Sequence, residues 1–183
     1  GVDQQTERKI EHSRRRRDYM DRQDYERINE ITKKQEALLR FEHFSNQDAW
    51  ELGKFLVQRI YGRNIDLAVA IRRPDGNIIF QYATEGTNLE NENWMRRKFN
   101  TVSLLKRCSL GAWANSFLTG ETVESKGLSE ADYVFCGGGF PICLRTGEMT
   151  AVLTVSNLPH EQDHEFIAGA LEDWLNAEGV PHL

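Results

Sequence analysis

The sequence predicts an α+β fold, an antiparallel sheet built from two β-hairpins with helices on its faces. Three observations carry this reading. Two short runs rich in strand formers, 67–71 and 78–83, flank Arg73-Pro74-Asp75-Gly76-Asn77, where proline presets φ and glycine takes the left-handed position. A second pair of apolar runs, 140–144 and 151–155, flanks a short loop containing Gly147. The segments around these hairpins have helical periodicity. Strands that arrive as tight hairpins pair antiparallel, because parallel neighbours need long crossovers.

Each element has its own local cause. Tyr25, Ile28, Ile31, Leu38 and Leu39 recur at three- to four-residue spacing, which predicts a helix over 21–41 with a narrow apolar stripe. Such a stripe docks on the domain or on a partner subunit. Ser45 is an N-cap with Asp48 three residues on. Ala49, Leu52, Leu56 and Ile60 then form one helical face, which Gly62 is expected to close. After the first hairpin, 84–93 reads as a polar connection. A long helix is expected from Trp94, bent or ended at Gly111 and Gly120. Pro159 opens the last helix, whose face is Phe166, Ile167, Ala170, Leu171, Trp174 and Leu175.

Composition narrows the class. A chain of 183 residues suits one domain with an appendage. We divide it into a polar N-terminal extension over 1–40 and an α+β domain over 41–183. Residues 1–19 read as a leader or alternative start, with Met20 a candidate initiator. A net charge of −5 gives no reason to expect nucleic acid as a partner. The basic run Arg14-Arg15-Arg16-Arg17 has two readings, a contact for an anionic surface or a solvated tail. No apolar run is long enough to span a membrane, and no secretory pattern is visible. Three cysteines, an odd number without a paired framework, suit reduced thiols in a cytoplasmic protein.

Four motifs in order resemble one known family. They are Phe44-Ser-Asn-Gln-Asp-Ala-Trp-Glu-Leu-Gly53, Trp94-Met-Arg-Arg-Lys-Phe-Asn-Thr-Val102, Gly137-Gly-Gly-Phe-Pro-Ile142 and Val155-Ser-Asn-Leu-Pro-His-Glu-Gln-Asp-His164. Together they resemble the GlcG/HbpS-like, haem-degrading-domain-like family, in its cytosolic branch with bacterial and yeast members. The resemblance runs from about residue 36 to residue 176. It implies a profilin-like sheet with flanking helices, and a homo-oligomer that is a dimer or a larger ring. It also implies haem or another anionic ligand as the guest. Two positions depart from the branch. Cys136 and the Arg107-Cys108-Ser109 stretch stand where branch members carry histidine. That weakens histidine-dependent chemistry, although cysteine also ligates haem iron.

The candidate site gathers around the second hairpin. Gly137, Gly138 and Gly139 form either a tight turn entering the strand or a backbone cradle for an anion, with Phe140 beside them. Arg97 and Lys98 on the basic helix are candidates to hold carboxylates; the alternative is a solvated or intersubunit face. His164 or Cys136 is the candidate axial ligand, and Asp163 joins them at the helix start. Cys136 also reads as a small core thiol. His160-Glu161-Gln162-Asp163-His164 fits the HExxH pattern. It sits in a first helical turn without a third ligand downstream, so a metalloprotease is set aside. The expectation is that the glycine triplet and the Asp163–His164 turn meet around a cavity. An oligomeric scaffold, or an enzyme acting on haem or a small organic acid, are the alternative functions.

Overall fold

The structure is a computed structural model that describes Gln4 and residues 20–183. The Arg14–Arg17 run therefore lies outside the described residues. Among residues 20–183, five helices and four strands follow in the order α1 (Arg22–Leu38), α2 (Asn46–Gly62), β1 (Ala68–Arg72), β2 (Ile78–Ala83), α3 (Leu89–Leu105), α4 (Ser109–Thr119), β3 (Gly139–Cys143), β4 (Met149–Ser156) and α5 (His160–Leu175). The sheet order is β2-β1-β4-β3, antiparallel throughout. Both expected hairpins are present, and β1 and β4 join them down the middle.

Strand alternation sorts the side chains into two layers. Val69, Ile71, Phe80, Phe140, Ile142, Leu153 and Val155 face the core cluster. Leu52, Leu56 and Ile60 of α2 and Phe166, Ile167 and Leu171 of α5 meet them there. The opposite face carries smaller groups. Ala68 and Ala70 meet Met95, and Val152 meets Phe99 and Val102, so α3 lies close against the sheet. Arg72, buried at the end of β1, pairs with Glu92 and fixes α3 along its length.

Several boundaries differ from expectation. α3 begins at Leu89, not Trp94. Asn88 caps it, with Asn91 completing a capping box. The first turn exposes the apolar Leu89 and buries the polar Asn91, so apolar spacing gave no signal for it. The expected long helix is two helices. Lys106 takes φ 58 and breaks the run, and the Cys108 thiol accepts the Gly111 N–H to start α4. Gly111 lies inside α4, while Gly120, at φ 76, closes it as expected. α2 runs through Gly62, and Asn64 takes the left-handed turn at φ 53.

α1 docks through apolar and polar groups together: Ile28 meets Leu110 and Ala114, and the Tyr25 ring stacks on Phe117 at 4.2 Å. Its buried residues are Ile28, Asn29, Thr32 and Gln35. Arg107, at the α3–α4 break, reads this face. Its Nη1 donates to Asn29 Oδ1 (2.8 Å), its Nη2 to Thr32 Oγ1 (3.1 Å) and its Nε to Glu36 Oε1 (3.2 Å). Leu39 and Phe41 follow α1 into the main core, and Phe41 bridges Leu144 at the edge of β3.

Arg107→Ala should remove these bonds and leave Glu36 half-buried without its cation, costing about 2 kcal/mol. Urea unfolding should move by that amount, and trypsin should cut more readily within α1, at Lys33 and Lys34. An unchanged midpoint with unchanged cleavage would show that α1 is held by other contacts.

Candidate functional site

The glycine corner forms where β3 begins, β4 ends and α5 starts. Gly138 has φ 118, a conformation that side chains rarely adopt. Its carbonyl accepts the Val155 N–H at 2.9 Å. Gly139 N–H donates to Ser109 Oγ at 2.9 Å. The Gly137 N–H donates to His160 Nδ1 at 3.0 Å, which places the His160 proton on Nε2 when the ring is neutral. A β-carbon at Gly137 would collide with the His160 carbonyl, and one at Gly138 would lie 2.6 Å from Lys98 Nζ. The triplet is therefore required by close backbone approach, and the approaching groups belong to the chain itself. The glycine corner and the Asp163–His164 turn do meet. The space between them is filled by Lys98, the His160 carbonyl and the side chain of His164.

Lys98 is buried. Its Nζ donates to Asp163 Oδ2 at 3.1 Å and to the Val155 carbonyl at 2.9 Å. Asp163 Oδ1 accepts the Leu158 N–H at 3.0 Å. Burial pushes the Asp163 carboxyl above its ordinary range, against the pull of the Lys98 ammonium and the Leu158 N–H. This pair joins α3, β4 and α5 in one contact.

His164 lies beneath the corner with no exposed surface, not at a rim. Gln35 of α1 sets its tautomer. The Gln35 amide nitrogen donates to Pro181 O (2.9 Å) and Glu165 Oε1 (3.1 Å), so its oxygen must face His164. His164 Nε2 then donates to Gln35 Oε1 at 2.6 Å. Nδ1 is left buried without a partner. Burial, with His160 and His182 nearby, lowers the His164 pKa to about 3, so the ring is neutral.

The rest of the predicted site divides between framework and rim. Phe140 is fully buried, its ring 6.0 Å from that of His164. Arg96 and Asn100 are committed to the 131–134 loop, donating to Ala131 O, Asp132 Oδ1 and Asp132 O. Arg97 is half-buried. It lies over the Trp94 ring at 4.6 Å, bonds Tyr133 O at 3.4 Å, and keeps its Nε without a partner. Burial raises the Cys136 thiol pKa, against the pull of the Lys98 ammonium and, less strongly, of Arg97. Arg97 and Cys136 are thus partly buried, whereas Lys98, Asp163, His164 and the three glycines are buried. Among the described residues no group of three His, Cys, Asp or Glu is placed to hold a metal ion.

Gln35 and Arg107 were missed as supports of this corner. Their signal was a polar stripe, Asn29-Thr32-Gln35-Glu36 at helical spacing, opposite an arginine at a helix break.

A two-hairpin antiparallel sheet with a closed glycine corner at the start of its last helix defines an α+β class to which known proteins belong. The chain matches the family described as haem degrading protein HbpS-like over residues 44–172, and it belongs to that family. A UPF0303 protein of Yersinia enterocolitica is 35% identical over 145 residues, covering 79% of this chain and 84% of that relative. A UPF0303 protein of Azotobacter vinelandii is 38% identical over 154 residues, covering 81% and 92%. Among solved structures, yeast Ybr137w superposes with a TM-score of 0.72 at 25% identity, covering 83% of this chain and 87% of that one. The haem complex of PduOC superposes with a TM-score of 0.60 at 21% identity, covering 76% and 99%, a likeness of fold.

The buried neutral His164 makes stability pH-dependent. The unfolded ring titrates near its ordinary 6.5 and the folded ring near 3. The unfolded chain binds the extra proton between these values, so stability is full above about pH 6.5 and falls as pH drops towards 3. The limiting slope is about 1.4 kcal/mol per pH unit. His182 and Asp163 have raised folded pKa values and act in the opposite sense. Urea melts of wild type and His164→Gln between pH 7 and 4 should therefore converge as pH falls. A constant gap would mean that His164 is not held neutral.

Proposed function

We propose that this chain is a small-molecule-binding module for haem or another anionic ligand, approached over the rim formed by Arg97 and Cys136. The observation that carries the reading is the half-buried Arg97 guanidinium, laid on Trp94, whose Nη2 bonds Tyr133 O at 3.4 Å and which forms no ion pair among the described residues. A carboxylate there would take charge-assisted hydrogen bonds. Family membership, and the haem named with one structural neighbour, support haem as the first ligand to test.

The fit of haem is partial. The interior of the corner does not take a porphyrin, because Lys98 and His164 occupy it. His164 is unsuited as an axial ligand because it is fully buried beneath the corner, so the free lone pair of its Nδ1 faces the interior. At the rim, Arg97 would hold a propionate and Cys136 would approach the iron; the group when bound would supply iron coordination. The chain's own residues bind and orient: Arg97 fixes the acid, Trp94 keeps Arg97 in place, and Lys98–Asp163 holds the backbone beneath.

Self-association is part of this reading. The edge of the sheet at β3 is bridged by Phe41, whereas β2 is the outer strand at the other edge and carries no charged side chain. Trp50, Ile78 and Tyr82 are exposed beside it. An edge of that kind supports pairing with a second copy.

Haemin titrated into the full chain should give a saturable Soret shift. Arg97→Ala should weaken binding roughly tenfold, as expected for the loss of one charge-assisted contact. Cys136→Ser should move the Soret maximum. Absence of a shift would remove haem as the ligand, and unaltered binding in Arg97→Ala would remove this rim as the site.

A further inference from the structure

A second place on the molecule has the shape and charge of a binding site, and it does not depend on the glycine corner. α5 carries the corner at His160 and ends at Leu175, about 24 Å away by helical rise. At that far end, the segment leaving α1, the first turn of α2 and Arg145 of the second hairpin border a half-open cavity of about 360 Å³. Small-ligand sites have volumes of this order. Its floor is aromatic. Phe41 and Phe44 are buried and meet edge to face at 5.3 Å. Trp174, at 39% exposure, makes a wall.

The lining carries two arginines, Arg40 and Arg145, and two acids, Glu42 and Asp48, but they are not all paired with one another. Glu42 pairs with Arg145 at 3.0 Å. Asp48 accepts the Ser45 N–H at 2.7 Å in the α2 capping box, and its Oδ2 also meets His43 Nδ1 at 2.8 Å. Both acids of the lining are thus engaged. Arg40 is not: it forms no ion pair or side-chain hydrogen bond among the described residues, and since its Nε is buried, its two outer nitrogens are the ones a ligand would meet. A guanidinium is always charged and its fork suits a carboxylate. Beside an aromatic floor, it selects a ligand with an acid at one end and a flat apolar body at the other.

We propose that this cavity binds a small monocarboxylate with a flat apolar body, its acid on Arg40 and its body on Phe41, Phe44 and Trp174. The probe is benzoate, with benzamide as the neutral isostere. Nitrogen-15 NMR of the full chain reads the Trp174 indole and the amides of 40–48. Benzoate should shift these signals saturably. Benzamide, and benzoate on Arg40→Gln, should bind roughly tenfold more weakly. The proposal is overturned by absent shifts up to about 10 mM benzoate, by equal binding of benzamide, or by unchanged binding in Arg40→Gln. Should Arg40→Gln fail to fold, the benzoate-to-benzamide ratio on the wild-type chain decides.

Discussion

Lys98 and Asp163 face each other where α3, β4 and α5 converge, each with 3% of its side chain exposed. Two opposite charges in such a place are costly to bury and are tolerable only as a pair with their remaining hydrogen bonds met. Here they are met, by the Val155 carbonyl for the lysine and the Leu158 N–H for the aspartate. The glycines follow from this. Gly138 must lack a side chain because Lys98 Nζ passes beside it, and Gly137 because the first turn of α5 presses against it. Of the two sequence readings of the triplet, a tight turn or an anion cradle, the close approach of Lys98 and α5 to its backbone favours the turn.

A second layer of polar contacts holds the N-terminal helix to this framework. Gln35 meets His164, and Glu36, Asn29 and Thr32 meet Arg107 at the break between α3 and α4. Hydrogen bonds of this kind are specific in geometry and modest in net energy. Leu39 and Phe41 add the apolar anchor that continues α1 into the core. The corner is thus supported from three sides, and unused bonding capacity near it remains at Arg97 Nε and, beneath the corner, at His164 Nδ1.

The legible part of the sequence was the part governed by local rules. Both hairpins were visible because Pro74-Asp75-Gly76 and Gly147 force turns between strand-forming runs, and Gly76 and Gly147 do take positive φ. The capping boxes gave uneven signals: Ser45 with Asp48 announced α2, whereas Asn88 with Asn91 lay in a run of polar residues that resembled a loop. The family resemblance placed the sheet and helices correctly. The interior of the site was not legible. Asp163 and Lys98 are 65 residues apart, and only the tertiary fold makes one the partner of the other. Likewise, nothing near His164 announced Gln35, which is 129 residues away and on a helix whose buried stripe is largely polar. Arg40 was passed over because its significance lies in lacking a partner, a property that only coordinates reveal.

The two ends of α5 therefore differ in kind: one is packed solid around an ion pair, and the other borders a cavity with a spare cation. The central claim is the first of these, and a double-mutant cycle tests it most directly. Lys98→Met and Asp163→Leu, each alone, should cost about 3–5 kcal/mol in urea unfolding, because each strands a buried charge. The double substitution should cost far less than their sum, giving a coupling of at least about 2 kcal/mol. Small, additive losses would contradict the account, since they would mean that the two side chains do not face each other away from water.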